Sequence, residues 1–376
     1  MIKKKSIVFL TGTRADFGKI KSLIRITQNS DLFEVHIFVT GMHMMNRYGK
    51  TIKEVEKSGF KNIYPFINHD GVEHMDRTLA KTVDGFSRYI EDISPDLIVV
   101  HGDRVEAMAG AIVGSLNNIL VAHIEGGEVS GTIDELIRHA VSKMSHIHFV
   151  SNAEAKKRLI QMGEDKRCIF EIGSPDLDIM HSSTLPSLDV AKEYYDITFE
   201  NYGILMFHPV TTEVDKLPVH IKILVDSVIK SNKQYIVVYP NNDLGSNIIL
   251  NEYKRFDDNK NFKVFSSLRF EYFLVLLKNS KFIIGNSSAG IREAPYYQVP
   301  TINLGSRQKN RVNKNVINTI DFNEDLILNA INNSITQNQK VINVDFGDGN
   351  SDKKFFSILQ SDEIWNISNQ KVFNDL

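Results

Sequence analysis

The run LIVVHGDRVE at residues 97–106 joins an apolar segment to a polar turn, and similar junctions recur along the chain. Short β-rich runs alternate with longer amphipathic segments, the pattern of βα units around a parallel sheet. The other strand candidates of the first half are residues 6–10, 35–39, 119–124 and 147–150. Each strand candidate ends in a turn with polar or glycine residues. Because open α/β sheets bind ligands beyond the carboxyl ends of their strands, these turns should gather at one functional edge.

The same pattern restarts after GSP at residues 173–175, with strand candidates at 202–207, 235–239, 263–265, 281–284 and 301–304. A chain of 376 residues also exceeds what one hydrophobic core usually organises. We therefore expect an α/β fold of two doubly wound Rossmann-like domains facing a cleft. Their predicted bounds are 1–175, carrying the acids described below, and 176–360. A C-terminal helix over 361–376 could pack back on the first domain.

Charge and cysteine content exclude several classes of protein. Lys and Arg number 44 against 46 Asp and Glu, a net charge of −2, so a dedicated nucleic-acid binder with a basic stripe is not expected. The single cysteine, Cys168, rules out an intrachain disulfide and a cysteine-based zinc site, and it fits a reducing compartment. No segment approaches the roughly 18 apolar residues of a membrane span. We expect a cytoplasmic protein with neither membrane nor nucleic acid as a partner.

The first motif is GTRADFGKI at residues 12–20, which nearly imitates a phosphate-binding P-loop. Five residues separate its glycines instead of four, and Ile20 stands where a magnesium-binding Ser or Thr belongs. A glycine turn between a strand and a helix remains, with Arg14 and Lys19 nearby. Backbone N–H groups and a guanidinium suit a phosphate or a sugar hydroxyl. A plain βα turn with solvated cations is the alternative.

Acidic side chains follow two neighbouring strand candidates of the first half. Asp103 follows the run 97–100, where it could simply cap the next helix, whereas Glu125 is followed by glycines rather than by a helix. Asp134 opens an amphipathic helix with Arg138 at i,i+4, an arrangement that is usually a solvated face. The glycine-rich lead-in at 126–131 brings this helix start close to Glu125. Three carboxylates are therefore expected to converge.

The second half offers a histidine and a candidate diphosphate site. His208 follows the strand candidate 202–207, although a lone histidine is more often structural. In GNSSAGIRE at 285–293, small hydroxyl residues open a helix after a buried strand, which aims N–H groups and hydroxyls at a diphosphate. Glu293 lies about two turns further on, where it could accept hydrogen bonds from both ribose hydroxyls. Metal-ligand spacings are absent, so no catalytic metal is expected.

Taken in order, these motifs resemble the hydrolysing UDP-N-acetylglucosamine 2-epimerases, most closely those of bacterial sialic acid capsule synthesis. The resemblance covers essentially the whole chain. The runs that carry it are 12–19, 40–43, 101–106, 123–139, 207–213, 239–243, 269–273, 285–295 and Trp365-Asn366.

The resemblance implies a GT-B-like fold with the nucleotide mainly on the second domain, a UDP-sugar substrate, and neither metal nor added cofactor. In that family the substrate loses UDP by elimination across C1–C2, giving a 2-acetamidoglucal. Water then adds to the glycal and leaves N-acetylmannosamine. Relatives also make a homodimer or homotetramer the expected assembly.

Site residues carry over from the family by motif. Asp103, Glu125 and Asp134 match the catalytic acids, and His208 matches the histidine at the diphosphate. Positions that match contacts to the nucleotide or sugar are Arg14, Ser287, Ser288 and Glu293, with Lys19, His43, Arg104, Asn242 and Arg307 as secondary contacts. Which carboxylate is the C2 base stays open, because paired acids shift one another's pKa.

Four other functions remain as alternatives. The same chemistry could act on a UDP-2,4-diacetamido hexose of the legionaminic acid pathway. A non-hydrolysing epimerase is disfavoured because residues 126–131 resemble the hydrolysing branch. A GT-B glycosyltransferase would need an acceptor site and would not depend on three carboxylates. A UDP-sugar-binding regulator would keep residues 287–293 but could lose the acids.

Overall fold

Two parallel β-sheets with helices between their strands make up the computed structural model, which describes residues 4–69, 74–309, 317, 319–336 and 346–375. The strands of the first sheet are β1 Lys5–Thr11, β2 Phe33–Val39, β3 Ile63–Pro65, β4 Leu97–His101, β5 Leu120–Ile124, β6 Ile147–Val150 and β7 Ile169–Glu171. Those of the second sheet are β8 Tyr202–Met206, β9 Gln234–Val238, β10 Phe262–Phe265, β11 Phe282–Gly285, β12 Thr301–Leu304 and β13 Thr319–Ile320.

The helices alternate with these strands along the chain. They are α1 Arg14–Gln28, α2 Ile52–Lys57, α3 Met75–Ile93, α4 Val105–Leu116, α5 Ile133–Met144, α6 Ala153–Gln161, α7 Pro175–Met180, α8 Leu188–Tyr194, α9 Leu217–Lys230, α10 Ser246–Tyr253, α11 Phe270–Lys278, α12 Glu293–Tyr296, α13 Glu324–Thr336, α14 Ser351–Leu359 and α15 Asp362–Trp365. Over the residues described, none of these helices combines the length and the apolar character that crossing a membrane requires.

Both sheets are doubly wound. The strand order is β3-β2-β1-β4-β5-β6-β7 in the first and β10-β9-β8-β11-β12-β13 in the second, and the paired strands are parallel. The order therefore reverses between β1 and β4 in one sheet and between β8 and β11 in the other. These are the topological switch points, where such sheets bind ligands. The predicted fold class of two doubly wound α/β domains is confirmed.

Burial explains which strands the sequence predicts. Every residue of β4 and β5 is buried, as expected for central parallel strands covered by helices on both faces, and such strands read as continuous apolar runs. The prediction misses β3, β7 and β13, which end their sheets. These strands are only two or three residues long and carry half-buried or exposed positions, so no apolar run marks them.

The described residues divide into two compact units. Those of Met1–Glu128, Asp134–Ser183 and Asp345–Leu376 form the first unit, and those of Val129–Ile133 and Thr184–Val344 form the second. The first unit is thus built from both ends of the chain, and a short segment from the first half is counted with the second unit. These two units are defined by contacts within the chain. The domain bounds 1–175 and 176–360 describe regions expected to fold independently, and they stay a prediction.

The C-terminal segment supplies part of the first unit's core. Phe355 of α14 is fully buried between Phe9 of β1 and Phe149 of β6, at ring-centroid distances of 6.3 Å and 4.8 Å. The expected helix over 361–376 is present only as the single turn of α15, because the Asn- and Ser-rich run that follows consists of weak helix formers. Residues 366–375 carry no helix.

An ionic cluster around buried Glu164 fastens residue 371 to α5. The Lys371 ammonium donates to the carbonyl oxygens of Ser142, Lys143 and Ser145 at 3.0, 2.8 and 2.6 Å, where the negative end of the helix dipole attracts a cation. Lys371 also pairs with Glu164. Glu164 in addition contacts Lys143 at 2.8 Å and His148 at 3.0 Å.

The cluster makes folding stability depend on the charge of Glu164. Burial by itself would raise the pKa of Glu164, but the hydrogen bond from His148 and the charges of Lys371 and Lys143 lower that pKa to about 2. A carboxyl whose pKa is lower in the folded state stabilises the fold above its unfolded pKa. This contribution is lost as the pH falls from about 4.5 toward 2.

We predict that Glu164→Gln lowers the free energy of unfolding by about 2 kcal/mol at pH 7, because it removes the buried carboxylate that pairs with Lys371 and Lys143. Urea unfolding at a series of pH values measures this, and the gap between wild type and variant should narrow below about pH 4.5. Glu171→Gln, an exposed change at the end of β7, is the control and should cost less than about 0.5 kcal/mol. Equal effects of the two substitutions at pH 7 would contradict the account.

Candidate functional site

The backbone of the turn between β1 and α1 donates hydrogen bonds to a carboxylate from the first turn of α1. Thr13 is the N-cap of α1 and accepts from the Asp16 backbone N–H, while the Asp16 carboxylate accepts from the N–H groups of Gly12 and Thr13 at 3.0 Å and 3.1 Å. This is a capping box, which satisfies the donors of a helix start from within the chain. The expectation that these backbone groups hold a phosphate is therefore wrong for Gly12 and Thr13.

Two cations predicted to bind substrate each face a carboxylate of the same unit. Arg14 forms a two-pronged pair with Glu54, in which its Nε lies 2.6 Å from Oε2. The Lys19 ammonium lies 2.8 Å from buried Asp176. The side chains of Arg14 and Lys19 are 14% and 13% exposed, so the alternative of solvated cations is also wrong.

His43 is enclosed in the first unit rather than presented at a surface. Its exposed fraction is 0%, and its ring nitrogens lie 3.2 Å from Thr11 Oγ1 and 2.8 Å from Thr51 Oγ1. Burial lowers the pKa of His43 to about 3, so the ring is neutral at physiological pH. The structure thus gives His43 a role in supporting the turn after β1, and its predicted contact with substrate stays a prediction.

Glu106 is a buried carboxylate that the motif analysis did not single out. It is 1% exposed and fills space that Gly12 and Gly41 leave open: a Cβ at Gly41 would lie 2.6 Å from its Oε1. Arg104 Nε lies 3.7 Å from its Oε2. The sequence marks Glu106 only as an acidic residue in the first turn of the otherwise apolar helix α4. Glu106 occupies the switch point between β1 and β4.

Glu125 has the geometry of a functional residue. It follows β5 in a left-handed conformation, with φ 63°, which is uncommon for a residue other than glycine and costs free energy. Its carboxylate accepts a hydrogen bond from Ser174 Oγ at 2.5 Å, and its second oxygen lies 3.3 Å from His101 Nε2. Glu125 is 5% exposed, so these contacts stabilise a buried acid.

Asp103 pairs with Arg138 instead of capping a helix. The N-cap of α4 is Arg104, with no side-chain capping bond, and the Asp103 carboxylate contacts the Arg138 guanidinium. Arg138 is 3% exposed and also donates to the Glu128 carbonyl oxygen at 3.3 Å. The Gly102 carbonyl oxygen just before Asp103 lies 2.8 Å from Nε2 of buried His123. The turn after β4 is therefore rigidly held.

The three predicted acids lie on adjoining elements of the first unit. β4 and β5 pair with His101 opposite Ile124, so Asp103 and Glu125 leave the sheet at neighbouring strand ends. Asp134 is half-buried in the first turn of α5, one turn before Arg138 on the same helix face. Arg138 thereby links Asp103 to the helix that carries Asp134. Across the described residues, His, Cys, Asp and Glu side chains form no group of three suited to a metal ion.

In the second unit, His208 lies at the switch point between β8 and β11. Its backbone N–H donates to Asn286 Oδ1 at 2.7 Å, and its carbonyl oxygen accepts from Asn286 Nδ2 at 2.8 Å. The Asn241 backbone N–H donates to the ring Nδ1 at 3.1 Å. Asn242, a predicted contact, is half-buried and follows Asn241 directly in the chain.

The loop after β12 contacts Asn286, which also bonds to His208. Buried Gln308 donates to the Asn286 carbonyl oxygen at 2.9 Å, and Arg307 Nη1 lies 3.4 Å from that oxygen. The Arg307 carbonyl oxygen accepts from the Gly131 N–H at 3.2 Å, a contact of the segment Val129–Ile133 inside the second unit. A Cβ at Gly131 would lie 2.6 Å from the Ser306 carbonyl oxygen, so the approach requires glycine.

The stretch after β11 is not the continuous helix expected from the sequence. Ser288–Gly290 form a short 3₁₀ turn, and α12 then covers only Glu293–Tyr296. Ser287 caps the 3₁₀ turn by accepting from the Ala289 N–H. Glu293 is 3% exposed at the start of α12. Two short elements lack the aligned peptide dipoles of a long helix, so the dipole argument for diphosphate binding is weakened.

Sequence reasoning singled out the acids and the histidine as candidates but did not identify most of the residues that contact them. Ser174, Arg138 and Asn286 each contact a predicted site residue from a distant part of the chain. Only Arg138 carried a sequence signal, its i,i+4 spacing from Asp134. The first unit thus offers acids for proton transfer, and the second offers an imidazole and amides that could bind an anion.

Comparison with known proteins identifies relatives over the full length. A family model described as UDP-N-acetylglucosamine 2-epimerase matches residues 25–360. The chain is 49% identical over 376 residues to UDP-N-acetylglucosamine 2-epimerase of Neisseria meningitidis serogroup B, covering 99% of both chains. It is 33% identical over 366 residues to UDP-N,N'-diacetylbacillosamine 2-epimerase (hydrolyzing) of Legionella pneumophila, covering 96% of both.

A solved structure shares the fold. UDP-GlcNAc 2-epimerase of Methanocaldococcus jannaschii, in complex with UDP-GlcNAc and UDP, superposes with a TM-score of 0.78 at 23% identity, over 94% of this chain and 99% of that one.

The glycine before the Asn286 network should be indispensable for folding. Gly285 has φ 135°, and a Cβ there would lie 1.9 Å from the Met206 carbonyl oxygen, so Gly285→Ala must separate β11 from β8. We predict a loss of more than about 4 kcal/mol in denaturant unfolding. Gly59→Ala is the control: its φ is 76° but nothing lies within 4 Å, and it should cost about 1 kcal/mol. Similar losses would show that conformation, rather than the close approach, constrains Gly285.

Proposed function

Because the chain belongs to the UDP-N-acetylglucosamine 2-epimerase family, we propose that it is a hydrolysing member, which converts UDP-N-acetylglucosamine and water to N-acetylmannosamine and UDP. We further propose that this reaction is the first step of sialic acid biosynthesis. The observation that carries the proposal is the set of acids at the ends of β4 and β5 and the start of α5. The hydrolysing type is supported by the Legionella relative, whose name includes it.

The first step is an anti elimination. A carboxylate takes the proton from C2, and the C2–H electron pair forms a C1=C2 double bond. The C1–O bond breaks at the same time, and UDP departs with the electron pair of that bond. The product is 2-acetamidoglucal. Removing a proton next to an acetamido group needs a base held at hydrogen-bond distance. Asp103, Glu125 and Asp134 are the proposed candidates.

The second step is hydration of the glycal. The oxygen of water bonds to C1 as one of its protons passes to a carboxylate, and C2 receives a proton on the face opposite to the one that lost it. One water is consumed, and the C2 configuration is inverted. Chemistry on both faces of one carbon requires at least two acid–base groups. Three acids, one paired with Arg138 and another with Ser174 and His101, meet this requirement.

Arg14 is a proposed contact to the nucleotide, and further proposed contacts belong to the second unit. His208 binds the diphosphate, Ser287 and Ser288 lie along it, and Glu293 accepts from the ribose hydroxyls. Lys19, His43, Arg104, Asn242 and Arg307 are the secondary positions. Neither a metal nor an added cofactor has a step in this reaction. A homodimer or homotetramer is the proposed assembly.

One other substrate is favoured by a specific observation. The Legionella relative is named for UDP-N,N'-diacetylbacillosamine, a sugar with a second acetamido group, and it covers 96% of this chain. The same elimination and hydration would apply to such a UDP-2,4-diacetamido hexose. The ratio of kcat/KM on the two sugar nucleotides decides between the substrates. The higher identity to the Neisseria relative supports UDP-N-acetylglucosamine as the preferred proposal.

Proton NMR of the purified protein with UDP-N-acetylglucosamine in deuterated water, with EDTA present, tests the reaction. We expect free UDP and N-acetylmannosamine carrying deuterium at C2, since the proton removed from C2 is replaced from solvent. Deuterated UDP-N-acetylmannosamine without free UDP would instead indicate a non-hydrolysing epimerase. An unchanged substrate would overturn the proposal for this sugar and direct the same measurement to the diacetamido substrate.

Replacing the acids one at a time tests their roles. Asp103→Asn, Glu125→Gln and Asp134→Asn should each lower kcat by at least about a hundredfold, the usual contribution of an acid–base group. Glu135→Gln changes the neighbouring half-buried acid of α5 and should keep kcat within about threefold. Release of UDP, followed with a coupled assay, gives the rates. Full activity of Asp134→Asn would remove Asp134 from the catalytic set and favour glycosyl transfer.

A further inference from the structure

Asn286 joins the ends of β8 and β11 through hydrogen bonds made by each of its polar groups. Its backbone N–H donates to the Met206 carbonyl oxygen at 3.1 Å, and its own carbonyl oxygen accepts from Gln308 at 2.9 Å. Its side-chain amide makes the two bonds to the His208 backbone described above. The residue is 2% exposed. A buried amide with every group paired is a rigid support.

The orientation of this amide is fixed by its partners. The His208 N–H can only donate and the His208 carbonyl oxygen can only accept, so Oδ1 must face the first and Nδ2 the second. The β8–β11 pairing ends with Gly285 opposite Met206, where Gly285 at φ 135° turns the chain. Beyond that point the Asn286 side chain supplies the bonds that a continued strand would have made. His208 is therefore held in place as though it were still in the sheet.

The ring of His208 is also set in one tautomer. The Asn241 backbone N–H donates to Nδ1 at 3.1 Å, and a backbone N–H has no accepting role. Nδ1 must then offer its lone pair, so the neutral ring carries its proton on Nε2. In this form Nε2 is a hydrogen-bond donor and cannot accept a proton.

We propose that Asn286 is a positioning residue that, together with the Asn241 amide, presents Nε2–H of His208 as a fixed donor to a phosphate oxygen of the nucleotide. The identity of the ligand rests on the proposed function, whereas the tautomer and the support do not. A donor at Nε2 stabilises the charge that develops on the departing diphosphate without a proton being transferred. It also leaves the abstraction of the C2 proton to the carboxylates of the first unit.

The chain offers a matched control for Asn286. Asn303 is 1% exposed on β12, paired in register with Gly285, and its amide donates to Thr319 Oγ1 at 2.8 Å. Asn286→Asp and Asn303→Asp are the same isosteric change of a buried amide, and both should lower thermal stability. Only Asn286→Asp turns a carboxylate oxygen toward the His208 carbonyl oxygen in place of a donor. Asn286→Ala, which removes both bonds without adding a charge, serves if the Asp variant does not fold.

The test combines imidazole nitrogen NMR with calorimetric titration of UDP. Wild type is labelled with nitrogen-15 histidine, and the His208 signals are identified by their loss in His208→Gln. These signals should show Nε2 protonated and Nδ1 unprotonated. In Asn286→Asp the His208 signals should shift, and UDP should bind about tenfold more weakly or worse, the loss expected for a hydrogen bond to a charged group. Asn303→Asp should keep both the wild-type signals and the wild-type affinity within about twofold.

A proton on Nδ1 in the wild type would overturn the proposed tautomer. Equal UDP affinity and equal His208 signals in the variants at 286 and 303 would overturn the positioning role. If wild type binds UDP and shows the expected tautomer but releases no UDP from a UDP-sugar, the proposed function fails while this inference stands.

Discussion

The parallel arrangement of the strands determines where the candidate functional groups lie in each unit. Because neighbouring strands run the same way, their carboxyl ends meet at one edge of each sheet, and the reversal of strand order opens a gap in that edge. Both gaps are filled in a comparable way. Glu106, just beyond β4, fits against Gly12 and Gly41 in the first unit, and Asn286, just beyond β11, bonds to His208 in the second. In each unit a buried polar residue supports the turns from which the candidate functional groups project.

Several charged side chains of the candidate site form ion pairs within the protein. Arg14, Lys19 and Asp103, all predicted to meet the substrate, are already matched with Glu54, Asp176 and Arg138. A diphosphate that binds Arg14 or Lys19 must compete with a carboxylate of the protein, so part of the attraction is offset by lost internal pairs. With a net charge of only −2, the whole chain adds no strong long-range field. Selectivity for the substrate then depends on geometry more than on attraction.

The sequence predicts the central strands better than it predicts the side-chain pairs between distant parts of the chain. Central strands are visible because burial on both faces produces apolar runs, and acids after β4 and β5 stand out against those runs. The partners of these acids are not visible, since Ser174 lies 49 positions from Glu125 and Asp103 lies 35 from Arg138. The turn after β1 shows how a local motif can suggest backbone donors that the folded chain already uses. Arg14 and Lys19 beside glycines suggest a phosphate site, yet Asp16 occupies the amides of Gly12 and Thr13. Short motifs report local chemistry, whereas pairing is a property of the folded chain.

The packing of Phe355 between Phe9 and Phe149 has a consequence for synthesis on the ribosome. Most of the first unit emerges early, but its core lacks Phe355, Leu359 and Ile364, and α5 lacks the cation of Lys371, until residues 351–371 have been translated. The second unit, apart from Val129–Ile133, is contained in a single later segment and can complete its sheet before the first unit does. A nascent chain that stalls before residue 351 therefore carries a finished second unit and an unfinished first one. Premature termination there would expose apolar surface to chaperones and proteases, so that quality control acts on the unit that holds the acids.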